Sequence, residues 1–323
     1  MNKNIKRFIL ICKQKQMDLK EFLVSFLKAH DYEPIVDDGF IYANGTDEVC
    51  LTAHLDTVHE KNAIVKDVNV KKNIISSPQG IGGDDRCGVY MIMEIIKQGF
   101  HPYILFCEDE EVGGIGSEKF VRCANVNDEV PFKFFIELDR ANANDLVFYD
   151  DDNKEFHNWC EEITGYKTSI GSFSDISNLC PHFKVSGVNV SCGYYNAHRL
   201  NEYVVFDEME ASIKATVKLI EAAKELTEPW EYIECKRYSS YGVFGYGYNT
   251  SSTLSWSEEW VFVTADNKEY YGYGKTLVEA AGDFLMDNPE IKWGDVIDYY
   301  SMDDYYECNF GDFKSQLKGV KAI

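Results

Sequence analysis

The sequence predicts an α/β protein: a three-layer α/β/α domain with a mixed central sheet, followed by a small α+β module. Three observations predict it. Short apolar runs of strand length stand at residues 49–53, 103–107, 132–138 and 185–192. Longer segments of helical periodicity separate them, the alternation that builds a largely parallel sheet with helices on both faces. Beyond Pro229 the composition changes, because residues 230–323 hold four of the five tryptophans and twelve of the twenty-one tyrosines. The expected domains are therefore 1–228 and 229–323.

Taken in order, residues 1–30 read as helical, with Leu19, Phe22, Leu23, Phe26 and Leu27 on one face. Asp31, Pro34 and Asp37-Asp38-Gly39 break that pattern. Residues 40–42 form a short strand and Asn44-Gly45 reads as a hairpin turn into the strand ending at His54. Alternating Val and Ile over 63–77 suggest an exposed antiparallel pair. A glycine-rich loop, Gly80 to Gly88, leads into a helix at 89–96. It has no GK[ST], and Asp84-Asp85 would repel phosphate, so a phosphate loop is excluded. The strand at 103–107 ends in four consecutive acids, Glu108 to Glu111, and a helix begins near Ser117. The strand at 132–138 ends at Asp139-Arg140. A helix at 155–163, a loop at 171–175, the strand at 185–192 and a helix at 207–226 complete the domain. In the module, Tyr241 to Tyr248 alternates glycine with aromatics, 260–264 is strand-like, and 276–286 reads as a helix capped by Thr276. Its aromatics are expected to form a core.

Of the 323 residues, 45% are hydrophobic, enough for a sizeable core. The net charge of −22 excludes nucleic acid and anionic membranes as partners. The ten cysteines form no CxxC pair, so a thiolate zinc site finds no support, and a reducing, cytoplasmic setting is expected. The apolar run at 8–12 is too short for a signal-peptide core.

Five metal-ligating side chains fall at strand ends or helix starts: His54, Asp84, Glu111, Asp139 and His198. Their intervals are 30, 27, 28 and 59 residues, one or two β–α units each, which gathers them at one sheet edge. Two imidazoles and three carboxylates suit two zinc ions sharing one carboxylate, with Co2+ or Mn2+ as alternatives. Asp56 is placed to fix the His54 tautomer. Glu110, beside a ligand but free of that role, is the expected general base. A structural histidine next to a capping aspartate, and a solvated acidic loop, are the plain readings of the same residues. Tyr194, Tyr195 and Arg199 lie near His198 and line the site or simply pack.

His54-Leu-Asp56-Thr-Val, Gly83-Asp84-Asp85-Arg86-Cys87-Gly88, Asp109-Glu110-Glu111-Val-Gly-Gly, Glu137-Leu-Asp139 and Asn196-Ala-His198-Arg-Leu-Asn-Glu202 resemble, in order, the motifs of the co-catalytic di-zinc exopeptidases of families M20, M28 and M42. The HxDTV and HxxNE forms are most similar to M20, the peptidase T and carboxypeptidase G2 group. The resemblance covers roughly residues 15–225. It implies a phosphorylase/hydrolase-like fold, Asp84 as the bridging ligand with a cis peptide to Asp85, and Glu110 as base. It also implies Glu111 as a ligand to one zinc, His54 and Asp139 completing one metal's set and His198 the other's, and Asp56 orienting His54. Ser174-Asp175 resembles a small Ser/Thr-Asp motif near the pocket of these enzymes, and a plain turn accounts for it equally.

Only 58 residues separate Asp139 from His198, too few for the lid or dimerisation domain of M20, and the 29 between His54 and Asp84 leave no room for the M42 insertion. The sequence thus carries M20-like motifs on a lid-less, M28-like domain, and no oligomeric state carries over. The expected activity is hydrolysis of a short peptide or amino-acid amide, as an aminopeptidase. Deacylation of N-acyl amino acids and a non-catalytic metal-binding module are the alternatives. The module at 229–323 resembles no known family.

Overall fold

The apolar stripe near the N-terminus folds as two helices, α1 (Lys3–Cys12) and α2 (Gln16–Lys28), rather than the single one expected. α1 buries Ile5, Phe8, Ile9 and Cys12, and α2 buries Leu19, Leu23, Phe26 and Leu27. Lys15 takes up extended backbone between them, which no glycine or proline announces. The computed structural model describes residues 2–59, 65–123, 131–235, 258–264, 268–274, 284, 288, 291 and 296–301. They fall into two compact units, Met1–Tyr238 and Ser239–Ile323.

In the first unit the chain continues through β1 (Ile35–Asp37), β2 (Phe40–Ala43), β3 (Asp47–His54), β4 (Asn69–Lys71), β5 (Ile74–Ser76), α3 (Gly83–Lys97), β6 (Pro102–Cys107) and α4 (Ile115–Arg122). It ends with β7 (Phe135–Arg140), β8 (Asp145–Val147), α5 (Lys154–Thr164), β9 (Lys167–Thr168), α6 (Ile176–Phe183), β10 (Gly187–Ser191), β11 (Tyr194–Tyr195), β12 (Tyr203–Val205) and α7 (Phe206–Ala223). Eight strands form one mixed sheet in the order β1-β2-β6-β3-β7-β10-β8-β9. Helices α3 and α7, with α1 and α5 beside them, cover one face, and α4 and α6 cover the other. The expected three-layer α/β/α architecture is therefore present. Val49 to His54 are all buried, as a strand covered on both faces requires.

The hairpin signal at Asn44-Gly45 does not make a hairpin. β6 lies between β2 and β3, antiparallel to the first and parallel to the second. Gly45 packs against the backbone of Pro102, where β6 enters, and a Cβ there would collide with it. The tight turn falls instead at Asp38-Gly39, with Asp37 opposite Phe40. Helix α3 starts at Gly83, earlier than expected, with a first turn made irregular by Asp84 and Asp85. Helix α6, which the sequence reading left out, carries Pro181 within its eight residues. The Val/Ile alternation over 63–77 does form an antiparallel pair, β4 with β5, in a second sheet of order β11-β12-β5-β4. Residues 60–64 lie outside the described residues.

The first unit runs past the expected boundary at 228 because Trp230 belongs to its core. The Trp230 backbone N–H donates to the Lys133 carbonyl (2.9 Å), and the indole ring packs on Phe156 (5.7 Å) and Trp159 (5.9 Å). In the second unit, β13 (Glu258–Thr264), β14 (Glu269–Gly274) and β15 (Val296–Ser301) form an antiparallel sheet with β13 central. The expected strand at 260–264 lies within β13. Phe262 stacks on the buried Phe284 at 4.7 Å, while Tyr271 is exposed. The Tyr241–Tyr248 run and, apart from Phe284, the helix expected at 276–286 lie outside the described residues. Among the described residues no helix is long and apolar enough to cross a membrane.

What matters for function is direction. β3, β6, β7 and β10 run parallel, so their carboxyl ends share one edge. His54 ends β3, the four acids follow β6, Asp139 stands near the end of β7, and the loop bearing His198 follows β10.

Candidate metal centre

The sheet edge brings the five expected ligands together. His54, at 1% side-chain exposure, presents Nε2 to Asp84 Oδ1 at 3.1 Å, to Asp139 Oδ1 at 3.5 Å and to Glu110 Oε2 at 4.0 Å. His198 Nε2 lies 3.2 Å from Asp84 Oδ2 and 2.9 Å from Glu111 Oε2. Asp84 therefore turns one oxygen to each imidazole. The Asp84-Asp85 peptide is cis.

Asp56 holds the ring of His54 from behind, its Oδ1 3.1 Å from Nδ1. With Nδ1–H donating to Asp56, Nε2 is the ring nitrogen turned to the cluster. The same carboxylate accepts from the backbone N–H groups of Glu110 (3.0 Å) and Glu111 (3.1 Å), so one aspartate orients His54 and the acidic loop together. The buried Arg86 guanidinium donates to the carbonyls of Leu55, Asp56 and Gln14 and pins the turn after His54. Asp85 accepts from the N–H groups of His54 (3.2 Å) and Gly88 (2.8 Å), so its oxygens face backbone while Asp84 faces the imidazoles. A Cβ at Gly88 would strike the Leu138 carbonyl, which makes glycine the residue that lets α3 approach β7.

The four consecutive acids have four different partners. Glu108 is buried against Lys20 at 2.6 Å. Asp109, in the left-handed region at φ 57°, accepts from Gln16 at 3.3 Å. Glu110 faces His54, and Glu111 faces His198. A solvated acidic loop does not describe them.

Burial drives the electrostatics. It pushes the Glu110 carboxyl well above the usual range; His54 opposes this, and Asp139, Glu111 and Asp175 reinforce it. Burial with the Asp84 charge takes Glu111 up to about 7 and Asp139 up to about 6. Burial would lower the histidines, but the carboxylates overcome it: Asp84 and Glu111 raise His198 to about 12, and Asp139, Asp56 and Asp84 raise His54 well above its ordinary value. Glu110, Glu111 and Asp139 thus resist ionising, whereas Asp84 and Asp56 are held ionised by the imidazoles they contact, which keep their protons in return; this marks a strongly negative pocket, and a bound cation would favour the ionised acids and the deprotonated imidazoles.

The donors fit such a cation. Ligands at about 2.0–2.2 Å from a tetrahedral zinc ion sit roughly 3.3–3.6 Å from one another. Here one N···O separation is 3.5 Å, and the other three, at 2.9–3.2 Å, are hydrogen-bond distances that would have to widen by a few tenths of an ångström around a cation. Glu111 Oε1 is buried without a hydrogen-bond partner, as a carboxylate built to take a cation would be. His54, Asp84 and Glu111 each have one donor atom within 4.8 Å of the others.

The supporting contacts of several residues go beyond what the sequence announces. Glu202, fully buried, accepts from the N–H groups of Gly82 (2.8 Å) and Asp84 (3.0 Å) and from His59 (3.0 Å). It ties the His198 loop to the Asp84 loop. Asn189 and Glu137 are lone polar residues in buried strands, a signal legible in Val-Asn-Val and Ile-Glu-Leu. Tyr194 reaches Asp139, whereas Tyr195 turns away to Glu208 (2.7 Å). Ser174, by contrast with a plain turn residue, donates to Asp139 Oδ2 at 2.9 Å.

This geometry meets an independent finding. The sequence model of peptidase family M28 matches residues 41–170. That span holds His54, Asp56, Asp84, Glu110, Glu111 and Asp139, and it ends before His198. No curated protein matches the chain. Among solved structures, aminopeptidase PepT from Bacillus cereus is similar with a TM-score of 0.57 at 15% identity, over 69% of this chain and 98% of that one. A tripeptidase from Staphylococcus aureus gives 0.56 at 14%, over 69% and 98%. An aminopeptidase from the archaeon Desulfurococcus kamchatkensis gives 0.51 at 12%, over 69% and 99%. At these identities the likeness is one of fold.

Proposed function

We propose that the first unit is a metal-dependent exopeptidase, an aminopeptidase that cleaves short peptides with two zinc ions held by His54, Asp84, Glu111, Asp139 and His198. The single observation that carries this is Asp84, whose two oxygens address two imidazoles at 3.1 and 3.2 Å. A carboxylate so placed is suited to bridging. The M28 match over 41–170 supports the same reading. The HxDTV and HxxNE forms lean to M20, and we place the chain as an M28-type, lid-less domain bearing them.

When bound, the cations would polarise the scissile carbonyl and make the attacking water acidic. The chain's own groups do the rest. Glu110 Oε2 takes the proton from that water and returns it to the leaving amine. Asp56 holds the Glu110 and Glu111 backbone so that the two carboxylates keep separate tasks. A protonated substrate amine suits a pocket this rich in acids better than the carboxylate of an N-acyl amino acid does. The nearby cations Arg86 and Arg140 are turned to backbone carbonyls and to Asp145.

Purified protein loaded with zinc tests the reading. Hydrolysis of aminoacyl-anilides, lost with a chelator and regained with zinc, is the expected result. Cleavage of N-acyl amino acids instead would favour the deacylase, and zinc uptake with neither activity would favour the binding module.

A further inference from the structure

Three loops of the cluster meet at one buried carboxylate. Glu202 Oε2 accepts from the Gly82 N–H at 2.8 Å and from His59 Nε2 at 3.0 Å, and Oε1 accepts from the Asp84 N–H at 3.0 Å. The Glu202 backbone N–H donates to the Arg199 carbonyl at 2.9 Å, one residue from His198. His59 thus adds the loop after β3 to the two loops that Glu202 joins. It is fixed locally, because its backbone N–H donates to Thr57 Oγ1 at 3.1 Å.

Glycines shape the seat. Gly80 and Gly82 occupy the left-handed region, at φ 79° and 65°. A Cβ at Gly80 would fall on the His59 ring. One at Gly83 would stand 3.2 Å from Glu202 Oε1 and 2.8 Å from Tyr194 and Val204. The glycine-rich stretch ahead of Asp84, which is no phosphate loop, therefore makes room for an imidazole and a carboxylate. His59 and Gly80 lie just outside the motifs that carry the family resemblance. His59 is 6% exposed and Glu202 fully buried, so solvent offers no cheap replacement for the imidazole as a donor.

We propose that His59 is a positioning residue: it clamps Glu202 into the seat formed by Gly80 to Gly83, and through Glu202 it sets where Asp84 and the His198 loop stand. This rests on the metallopeptidase reading above and adds to it a residue that tunes metal affinity from outside the ligand set. His54 and Asp139 keep their own support from the sheet. Loss of the clamp therefore falls on the metal position facing Glu111 and His198.

Cobalt(II) titration followed by visible absorbance reads each equivalent. Wild-type, His59→Ala, His59→Leu, His59→Gln, Glu111→Ala and Asp84→Ala proteins would be compared, with thermal melts of the metal-free proteins as the folding control. In His59→Ala, the equivalent that Glu111→Ala loses is expected to weaken by roughly 10–100-fold, while the other keeps its affinity and bands. His59→Leu, which fills the space without a donor, behaves alike and carries the test if His59→Ala does not fold. His59→Gln, whose side-chain amide can donate to Glu202, recovers most of the lost affinity. Wild-type affinities in the folded Ala and Leu variants would overturn the positioning role and leave the ligand assignment standing. Equal weakening of both equivalents, or a loss in His59→Gln as large as in His59→Leu, would also overturn it and make the imidazole a packing residue. No cobalt uptake by wild type, or two equivalents retained in Asp84→Ala, would overturn the metallopeptidase reading and this inference with it.

Discussion

The cluster has two halves of different construction. His54 and Asp139 stand at the ends of β3 and β7, and their positions follow from the sheet: the side chain of His54 is 1% exposed, and that of Asp139 is 9%. Glu111 and His198 come from loops. The His198 side chain is 25% exposed, and both His198 (φ 63°) and Asn196 (φ 58°) occupy the left-handed region that non-glycine residues seldom adopt. Strand-borne ligands are placed by the sheet that builds the core. Asp56, Ser174 and Asn189 then fix the side chains of His54 and Asp139, whereas in the loops hydrogen bonds must hold the backbone itself, accepted by Glu202 from Gly82 and Asp84 and by Asp56 from Glu111. Asp84 joins the halves.

Breaking that joint has the largest expected effect. Asp84→Ala removes the shared carboxylate, so metal content measured by mass spectrometry falls below two per chain and peptide turnover disappears. Two ions retained would mean the halves do not meet at Asp84. Glu110→Gln leaves both halves intact, and kcat falls by roughly 10²–10⁴-fold at unchanged metal content. Undiminished activity would take Glu110 out of the mechanism. Glu202→Gln sharpens the contrast, since an amide cannot accept at both of the positions where the carboxylate does. Affinity for one metal equivalent falls by roughly 10–100-fold while the other holds, as a competition titration would show. Equal loss at both would erase the distinction between strand and loop halves.

The smallest effect is expected far from both. Glu161 is held down to about 2 by the Lys167 ammonium and by hydrogen bonds to Thr168. A depressed carboxylate contributes stability above its ordinary pKa near 4.5 and loses it as pH falls towards about 2. Glu161→Gln therefore costs at most about 1 kcal/mol at neutral pH, as expected of an ion pair near the surface, and the difference from wild type narrows in acid. Urea melts at two pH values measure it. A gap that widens in acid would contradict the assigned sign.

The strand half was legible in the sequence, because apolar runs ending in His54 and Asp139 state both the strand and its terminal ligand. Glu110 and Glu111 were legible in the acid run that ends an apolar strand, and His198 through its spacing and motif, but nothing local says that a loop returns to the same edge. The supporting bonds were less visible still. Asn189, Ser174 and Glu202 act through partners 15 to 143 residues away, and sequence separation hides such pairs. Where local signals misled, tertiary structure prevailed. Asn44-Gly45 has hairpin chemistry, but β6 inserts beside β3 and the chain turns elsewhere. Residues 1–30 carry continuous helical periodicity, yet the helix divides at Lys15. Trp230 looked like the first aromatic of the second unit and proved to be core of the first.

A crystal of the zinc-loaded protein, measured on both sides of the zinc absorption edge, tests the central claim most directly. Two anomalous peaks about 3.5–4 Å apart, one toward His54 and Asp139 and one toward Glu111 and His198, with Asp84 between them, are expected. A single peak, or zinc bound away from Asp84, would contradict it.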